Sequence, residues 1–220
     1  MTAPAYIVVK EPGARDIVIA QGGSLDLTVR QGETFARTIM WEVAPIVYKA
    51  ITGITKAAPP VLTVASHGMV DQWRCAVLSA GGMRQINAKH TPPIATELRT
   101  GTVASASSIS LNEVDSTNYT TYTSGGYLAY RTPASMASGT ARLQARQAIA
   151  DTATLISLTS VLGTAVDDTL KTITLSMSAT VTAALSFTSP GVYDLEFVSS
   201  GGTVTRLMHG NISLVKEVTR

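Results

Sequence analysis

Apolar and polar residues alternate one by one in segments such as Leu25-Asp26-Leu27-Thr28-Val29 and Thr172-Ile173-Thr174-Leu175, and β-branched runs such as Asp16-Ile17-Val18-Ile19 accompany them. A period of two puts every second side chain on one face, the pattern of a half-buried strand rather than of a helix. The residue types agree, because Val, Ile and Thr branch at Cβ and favour the extended backbone, and turns containing Gly, Ser or Pro separate the runs. Long helical periodicity is nearly absent. One exception is Ser178-Ala179-Thr180-Val181-Thr182-Ala183-Ala184-Leu185, where Ser178 precedes an alanine-containing run and predicts a capped helix of one or two turns. The fold class expected is all-β with one short helix.

Three zones differ in texture. Residues 1–30 hold two short strand-like stretches, one at Tyr6-Ile7-Val8-Val9 and one over 17–20, parted by the turn signal Glu11-Pro12-Gly13, and are read as an extended N-terminal arm. A strand follows over 33–41 and is expected to stop at Trp41. Residues 48–131 carry shorter strands with frequent turns, and alternation resumes beyond them to the C-terminus. The expectation is a β-sandwich made of residues 31–47 plus 132–220, interrupted by an inserted small domain over 48–131, since an insert whose ends are close together sits in a surface loop at little entropic cost. Ser199-Ser200-Gly201-Gly202 predicts a hairpin between the last two strands of the sandwich.

Composition excludes several function classes. Apolar residues make up 45% of the chain and charged ones 15%, which marks an ordered globular protein able to bury a core without disulfides. The formal charge of +2 comes from scattered Lys and Arg with no basic stripe, so nucleic acid is not an expected partner. A single cysteine, Cys75, allows no intrachain disulfide. No apolar run approaches the ~20 residues that cross a bilayer, so no membrane is expected either. Met1-Thr2-Ala3-Pro4 lacks the basic start of a signal peptide, and folding in a cytoplasm is expected.

Candidate chemical groups do not assemble into a site. Cys75 lies in a strand-like run with no Cys–His pairing. His67, Asp71 and Ser66 lack a nucleophile elbow, and His67, His90 and His209 lack zinc spacing. Asp167-Asp168 and Glu113-Val114-Asp115 lack the dense spacing of a calcium loop. No enzyme activity, cofactor or metal is expected. Most of the few aromatics fall in or beside the insert, and Tyr119, Tyr122 and Tyr127 are candidate interface residues, able to anchor a protein partner or stack on a sugar ring.

Several short motifs carry a resemblance. The stretch from Ser178 to Leu185, then Gly191-Val192-Tyr193-Asp194-Leu195-Glu196, then Val204-Thr205-Arg206-Leu207 with Gly210, resembles the immunoglobulin-like sandwich of phage tail and baseplate proteins, the baseplate-upper-protein type. The opening strand of that family resembles residues 31–41, and its next strand resembles Thr140-Ala141-Arg142-Leu143-Gln144-Ala145-Arg146. The lead-in to the latter, residues 134–139, departs from the family's Asp-Leu pattern. Within the insert, residues 51–61, His67-Gly68, Gly82-Met83 with Ile86-Asn87, and Tyr122-Thr123-Ser124-Gly125-Gly126-Tyr127 are similar to a small β-barrel module of phage virion proteins, itself like the first catalytic-cysteine half-domain of ubiquitin-activating enzymes. That half-domain does not supply a catalytic cysteine, so the resemblance implies no activity.

What the resemblance implies is a structural, non-enzymatic subunit of a tailed-phage particle, made in the bacterial host cytoplasm and placed at the tail, baseplate, collar or fibre attachment. Its implied partners are other phage structural proteins, with copies arranged in a symmetric ring, and the strand-like Tyr6, Ile7, Val8 and Val9 are candidates for adding a strand to a neighbour. The alternative is a carbohydrate-binding module that meets a host glycan through the tyrosines of the insert.

Overall fold

The computed structural model describes residues 4–218, and the chain is all-β. Its strands are β1 (Ala5–Lys10), β2 (Ile17–Ala20), β3 (Gly23–Ser24), β4 (Leu27–Arg30), β5 (Phe35–Ala50), β6 (Gly53–Ile54), β7 (Val61–Thr63), β8 (Trp73–Leu78) and β9 (Arg99–Ser105). They continue with β10 (Ser108–Leu111), β11 (Tyr127–Pro133), β12 (Thr140–Arg146), β13 (Ile156–Leu158), β14 (Thr164–Asp167), β15 (Thr172–Met177), β16 (Gly191–Val198) and β17 (Val204–Val215). The chain divides into two compact units, Val43–Pro133 on one hand and Pro4–Glu42 with 134–218 on the other.

The second unit is a two-sheet sandwich. One sheet runs β13-β12-β16-β17, with β3 and β4 both laid parallel against β17; the other holds β14, β15 and β5, with β1 paired to both β5 and β2. Alternation explains the packing. Ala141, Leu143 and Ala145 of β12 and Tyr193, Leu195 and Phe197 of β16 point inward, as do Ile173, Leu175 and Met177 of β15, and all belong to one buried cluster. Outward residues between them are polar, which is what one solvated sheet face requires. The 16-residue β5 does not stop at Trp41 but continues to Ala50. Pro45 suggests a stop, since proline removes a ladder donor, yet it sits within the strand at an exposed position. Ser178 caps the one α-helix among the described residues, α1 (Ala179–Ala183): its Oγ accepts from the Val181 N–H at 3.3 Å.

The N-terminal segment corrects an expectation. Residues 5–30 are not an exposed arm but four strands of the sandwich, and Ile7, Val9, Leu27 and Val29 are buried members of its core. The physical reason lies in pairing between distant segments. Leu27 to Arg30 pair in parallel with Ile212 to Val215, and Tyr6 to Val9 pair antiparallel with Ala20 to Ile17. Residues 1–3 lie outside the described residues.

The first unit is a smaller sheet in the order β11-β8-β9-β10-β7-β6. A main-chain hydrogen bond from the Ile51 N–H to the Gly126 carbonyl, 3.0 Å, ties together the chain beside its first and last strands. All six residues of β8 are buried, and its core includes Leu62, Trp73, Cys75, Met83, Ile109, Leu111 and Leu128. The Trp73 indole N–H donates to the Arg131 carbonyl at 2.6 Å, so the one polar atom of that ring is satisfied. Gly82 has φ +75°, and a Cβ there would lie 2.1 Å from the Thr121 carbonyl oxygen, so this turn accepts no larger residue.

Candidate functional site

The groups weighed for chemistry are bound into the scaffold. His67 is buried; its Nδ1 accepts from the Met69 N–H at 2.9 Å, which leaves Nε2 as the donor to the Ser105 carbonyl at 2.8 Å. Both ring nitrogens are thereby occupied, and the Tyr130 hydroxyl donates to the His67 carbonyl. Asp71 Oδ1 accepts the Gln72 and Val103 N–H groups at 2.9 and 2.8 Å. Burial pushes the Cys75 thiol up to about 12, which keeps it protonated and unreactive.

The interface candidates scatter. Ile7 and Val8 are fully buried and Val9 is 1% exposed, so none of the three presents a free strand to a neighbour, and Tyr6 is half-buried in the same strand. Tyr122 is half-buried and its hydroxyl bonds the carbonyls of Ile51 (3.1 Å) and Gly125 (3.0 Å), closing its own loop. Tyr127 is exposed. Tyr119 is half-buried and lines a hollow of about 230 Å³ with Asn87, Lys89, Glu97 and Arg99.

Glu97 is the anchor of that hollow. Its Oε1 accepts the Lys89 N–H at 2.7 Å and lies 3.0 Å from His90 Nδ1, and its Oε2 accepts the Ile94 N–H at 3.2 Å. Desolvation pushes the carboxyl up, but the hydrogen bonds from His90, Lys89 and Ile94 with the His90 charge outweigh it, and the group falls to about 2. An unfolded Glu titrates near about 4.3. The folded chain therefore binds this proton less readily, and the stability so gained is fully present above about pH 4.3 and lost as pH falls towards 2. In acid titrations followed by circular dichroism, Glu97→Gln is expected to flatten the dependence of stability on pH within that window; an unchanged slope would contradict it.

A second groove lies on the outer face of the sandwich and holds about 390 Å³. Cross-strand register builds it in rows. Arg142 of β12 stands opposite Glu196 of β16, which stands opposite Arg206 of β17; Gln144 stands opposite Asp194, and Asp194 opposite His209; Arg146 stands opposite Val192, and Val192 opposite Asn211. A bulge after Leu195 lets Leu207 and Met208 both enter the core and returns His209 to the outer face. Arg142 grips Glu196 Oε2 through Nε (2.7 Å) and Nη2 (2.6 Å), and Arg206 Nη1 lies 3.5 Å from Asp194 Oδ1. Arg146 holds the neighbouring loop by donating to the Asp151 and Thr152 carbonyls at 2.5 and 2.7 Å. Beneath the groove, the Tyr193 hydroxyl donates to the Leu25 carbonyl at 2.5 Å, and burial, with the Asp26 and Asp194 carboxylates, raises its pKa.

No protein-family model matches the chain, and no curated protein matches it in sequence. Function must be read from the surfaces themselves. Besides the groove, one loop stands out. Between β13 and β14 the tip residues Val161 and Leu162 are 89% and 69% exposed. The loop is not slack: the Thr159 N–H donates to the Leu162 carbonyl (2.7 Å), the Leu162 N–H to the Thr159 carbonyl (2.9 Å) and the Thr164 N–H to the Thr159 carbonyl (3.0 Å). Turn tips are ordinarily Gly, Asn, Asp or Ser. Here a hydrogen-bonded turn holds two aliphatic side chains out in water. Neither feature is legible in the sequence: the groove's residues are the outward half of ordinary alternating strands, and Val161-Leu162 looks like a fragment of a strand.

Proposed function

We propose that this protein is a non-enzymatic structural component of a bacteriophage particle, an adaptor or decorating subunit of the tail, baseplate, collar or fibre-attachment region. It works by binding neighbouring virion proteins. The observation that carries this reading is the ordered apolar tip at Val161 and Leu162, joined to the likeness of residues 178–210 to the immunoglobulin-like sandwich of phage tail and baseplate proteins. Burying an aliphatic side chain of this size contributes about 1.5–3 kcal/mol, so two on a preformed turn make an anchor with little ordering cost. In a particle with rotational symmetry each copy meets an equivalent neighbour, and a ring is the arrangement that closes.

Electron cryo-microscopy of purified particles of the phage that encodes the chain tests this, together with the double variant Val161→Ser, Leu162→Ser. The wild-type chain is expected in an ordered ring with the tip covered by another chain. The double variant is expected to fold normally, since exposed substitutions change stability by only about 0.5 kcal/mol, and to be lost from particles. Absence of the wild-type chain from mature particles, or full incorporation of the variant, would overturn the reading.

A further inference from the structure

We propose that the groove on the outer face of β12, β16 and β17 is a saccharide-binding site, distinct from the apolar tip and independent of the adaptor reading. Four observations point to a ligand rich in hydroxyl groups. First, the wall alternates donors and acceptors at strand spacing: Arg142, Glu196 and Arg206 in one row, Gln144, Asp194 and His209 in the next. A hydroxyl both donates and accepts, so vicinal hydroxyls of a sugar match such a wall where a purely anionic or cationic ligand matches half of it.

Second, the charges are already paired within the wall, Arg142 with Glu196 and Arg206 with Asp194, and Arg146 is held on main-chain carbonyls. An acidic peptide would have to compete with those carboxylates for the guanidinium groups, and like charges would oppose it. A hydroxyl needs no such exchange, because a carboxylate in an ion pair keeps lone pairs and a guanidinium keeps N–H groups to spare. The paired side chains are moreover held in place beforehand, so little ordering accompanies binding.

Third, His209 Nδ1 is buried, lines this groove through its residue and has no hydrogen-bond partner. A buried polar atom without a partner costs free energy, and it calls for a group to pair with. A small rotation of the ring brings this nitrogen to the groove, where a sugar hydroxyl can meet either tautomer. Fourth, the groove is not polar throughout: Val192 lies in its floor, and Ile149 beside it is 89% exposed, which gives an apolar rest for the C–H face of a pyranose. The volume of about 390 Å³ falls within the range of about 300–1,000 Å³ common to small-ligand sites.

The test is a screen of the full chain against an array of neutral and acidic oligosaccharides, followed by calorimetric titration of the strongest hit. Gln144→Ala and His209→Ala are the groove variants; neither breaks a charge pair of the wall. Both are expected to keep the wild-type melting temperature and to weaken saccharide binding tenfold or more. The Val161→Ser, Leu162→Ser variant is expected to bind the saccharide like wild type, which separates this inference from the adaptor reading. No saccharide bound, equal binding by both groove variants, or displacement of the saccharide by poly-glutamate at comparable concentration would overturn the proposal.

Discussion

Trp73→Ala is expected to cost the Val43–Pro133 unit about 3–5 kcal/mol, the range for removing a large aromatic from a packed core. The side chain is wholly buried in β8, a strand with no exposed residue, and its loss leaves both a cavity and an orphaned Arg131 carbonyl. Cys75 supplies the readout. It is the chain's one cysteine, lies two residues along the same strand, is buried, and its thiol is pushed up to about 12. Labelling therefore requires the unit to open, and its rate follows the free energy of opening. At about 1.4 kcal/mol per tenfold change, the rate of Cys75 modification should rise a hundredfold or more. Trp73→Phe, which keeps most of the ring and loses the N–H, should lie between the two. If Trp73→Ala labelled no faster than wild type, the assignment of Trp73 to the centre of this core would be wrong.

The two tryptophans serve different units, which lets the rest of the chain be followed separately. Trp41 belongs with the sandwich, where its ring meets Phe197 edge-on at 5.7 Å and its N–H donates to Gln21 Oε1 at 3.2 Å. In Trp73→Phe, Trp41 is the one remaining indole and reports the sandwich alone.

How far the sequence could be read depended on whether a feature is local. Strands such as β12, β15 and β16 announce themselves, since every second residue from Ala141 to Ala145, Ile173 to Met177 or Tyr193 to Phe197 is apolar and buried. The hairpin from β16 to β17 is also local: the Ser199 N–H donates to the Thr203 carbonyl and the Gly202 N–H to the Ser199 carbonyl across the predicted turn. The capped helix after Ser178 is local too. What escaped was set by partners far away in the chain. The parallel pairing of β3 and β4 with β17 links residues 23–30 to residues 208–215, and nothing in either segment names the other. Short length and a flanking turn made 1–30 look like an arm, while burial of Ile7, Val8 and Val9 depends on the sheets they join.

The groove escaped for a related reason. Arg142, Gln144, Asp194, Glu196, Arg206 and His209 occupy outward positions that any solvated face could fill with polar residues. Only register turns them into rows, and the bulge after Leu195 shifts β17 by one residue so that His209, not Met208, faces out. An uninterrupted alternation from Arg206 would put Met208 on the outer face, so the one residue that lends the groove an unpaired buried nitrogen is the one that simple periodicity misplaces. The tyrosines of the insert were conspicuous because aromatics are few, yet Tyr122 spends its hydroxyl on closing a loop.

Removing residues 1–20 is expected to abolish cooperative folding of the sandwich, the opposite of what an exposed arm would allow. The deletion takes away β1 and β2, and with them Ile7 and Val9, which belong to the sandwich core, and Val8, which is buried as well. At about 1.5–3 kcal/mol for each aliphatic side chain withdrawn from water, three of them approach the whole stability of a domain, about 5–15 kcal/mol, before the lost pairing of β1 with β5 is counted. Thermal unfolding followed by Trp41 fluorescence in the Trp73→Phe background gives the readout, with a broad or absent transition expected. Because a truncated chain with an opened core is prone to aggregate, point variants accompany it: Ile7→Val is expected to cost about 0.5–1.5 kcal/mol and Ile7→Ala about 2–5 kcal/mol. A graded loss with the volume removed at residue 7 is the signature of a close-packed core position, because each missing methyl leaves a cavity that neighbouring strands cannot close. An arm that merely lay on the surface would show neither the gradient nor the collapse, and a truncated chain that melted at the wild-type temperature would return residues 4–20 to the outside of the fold.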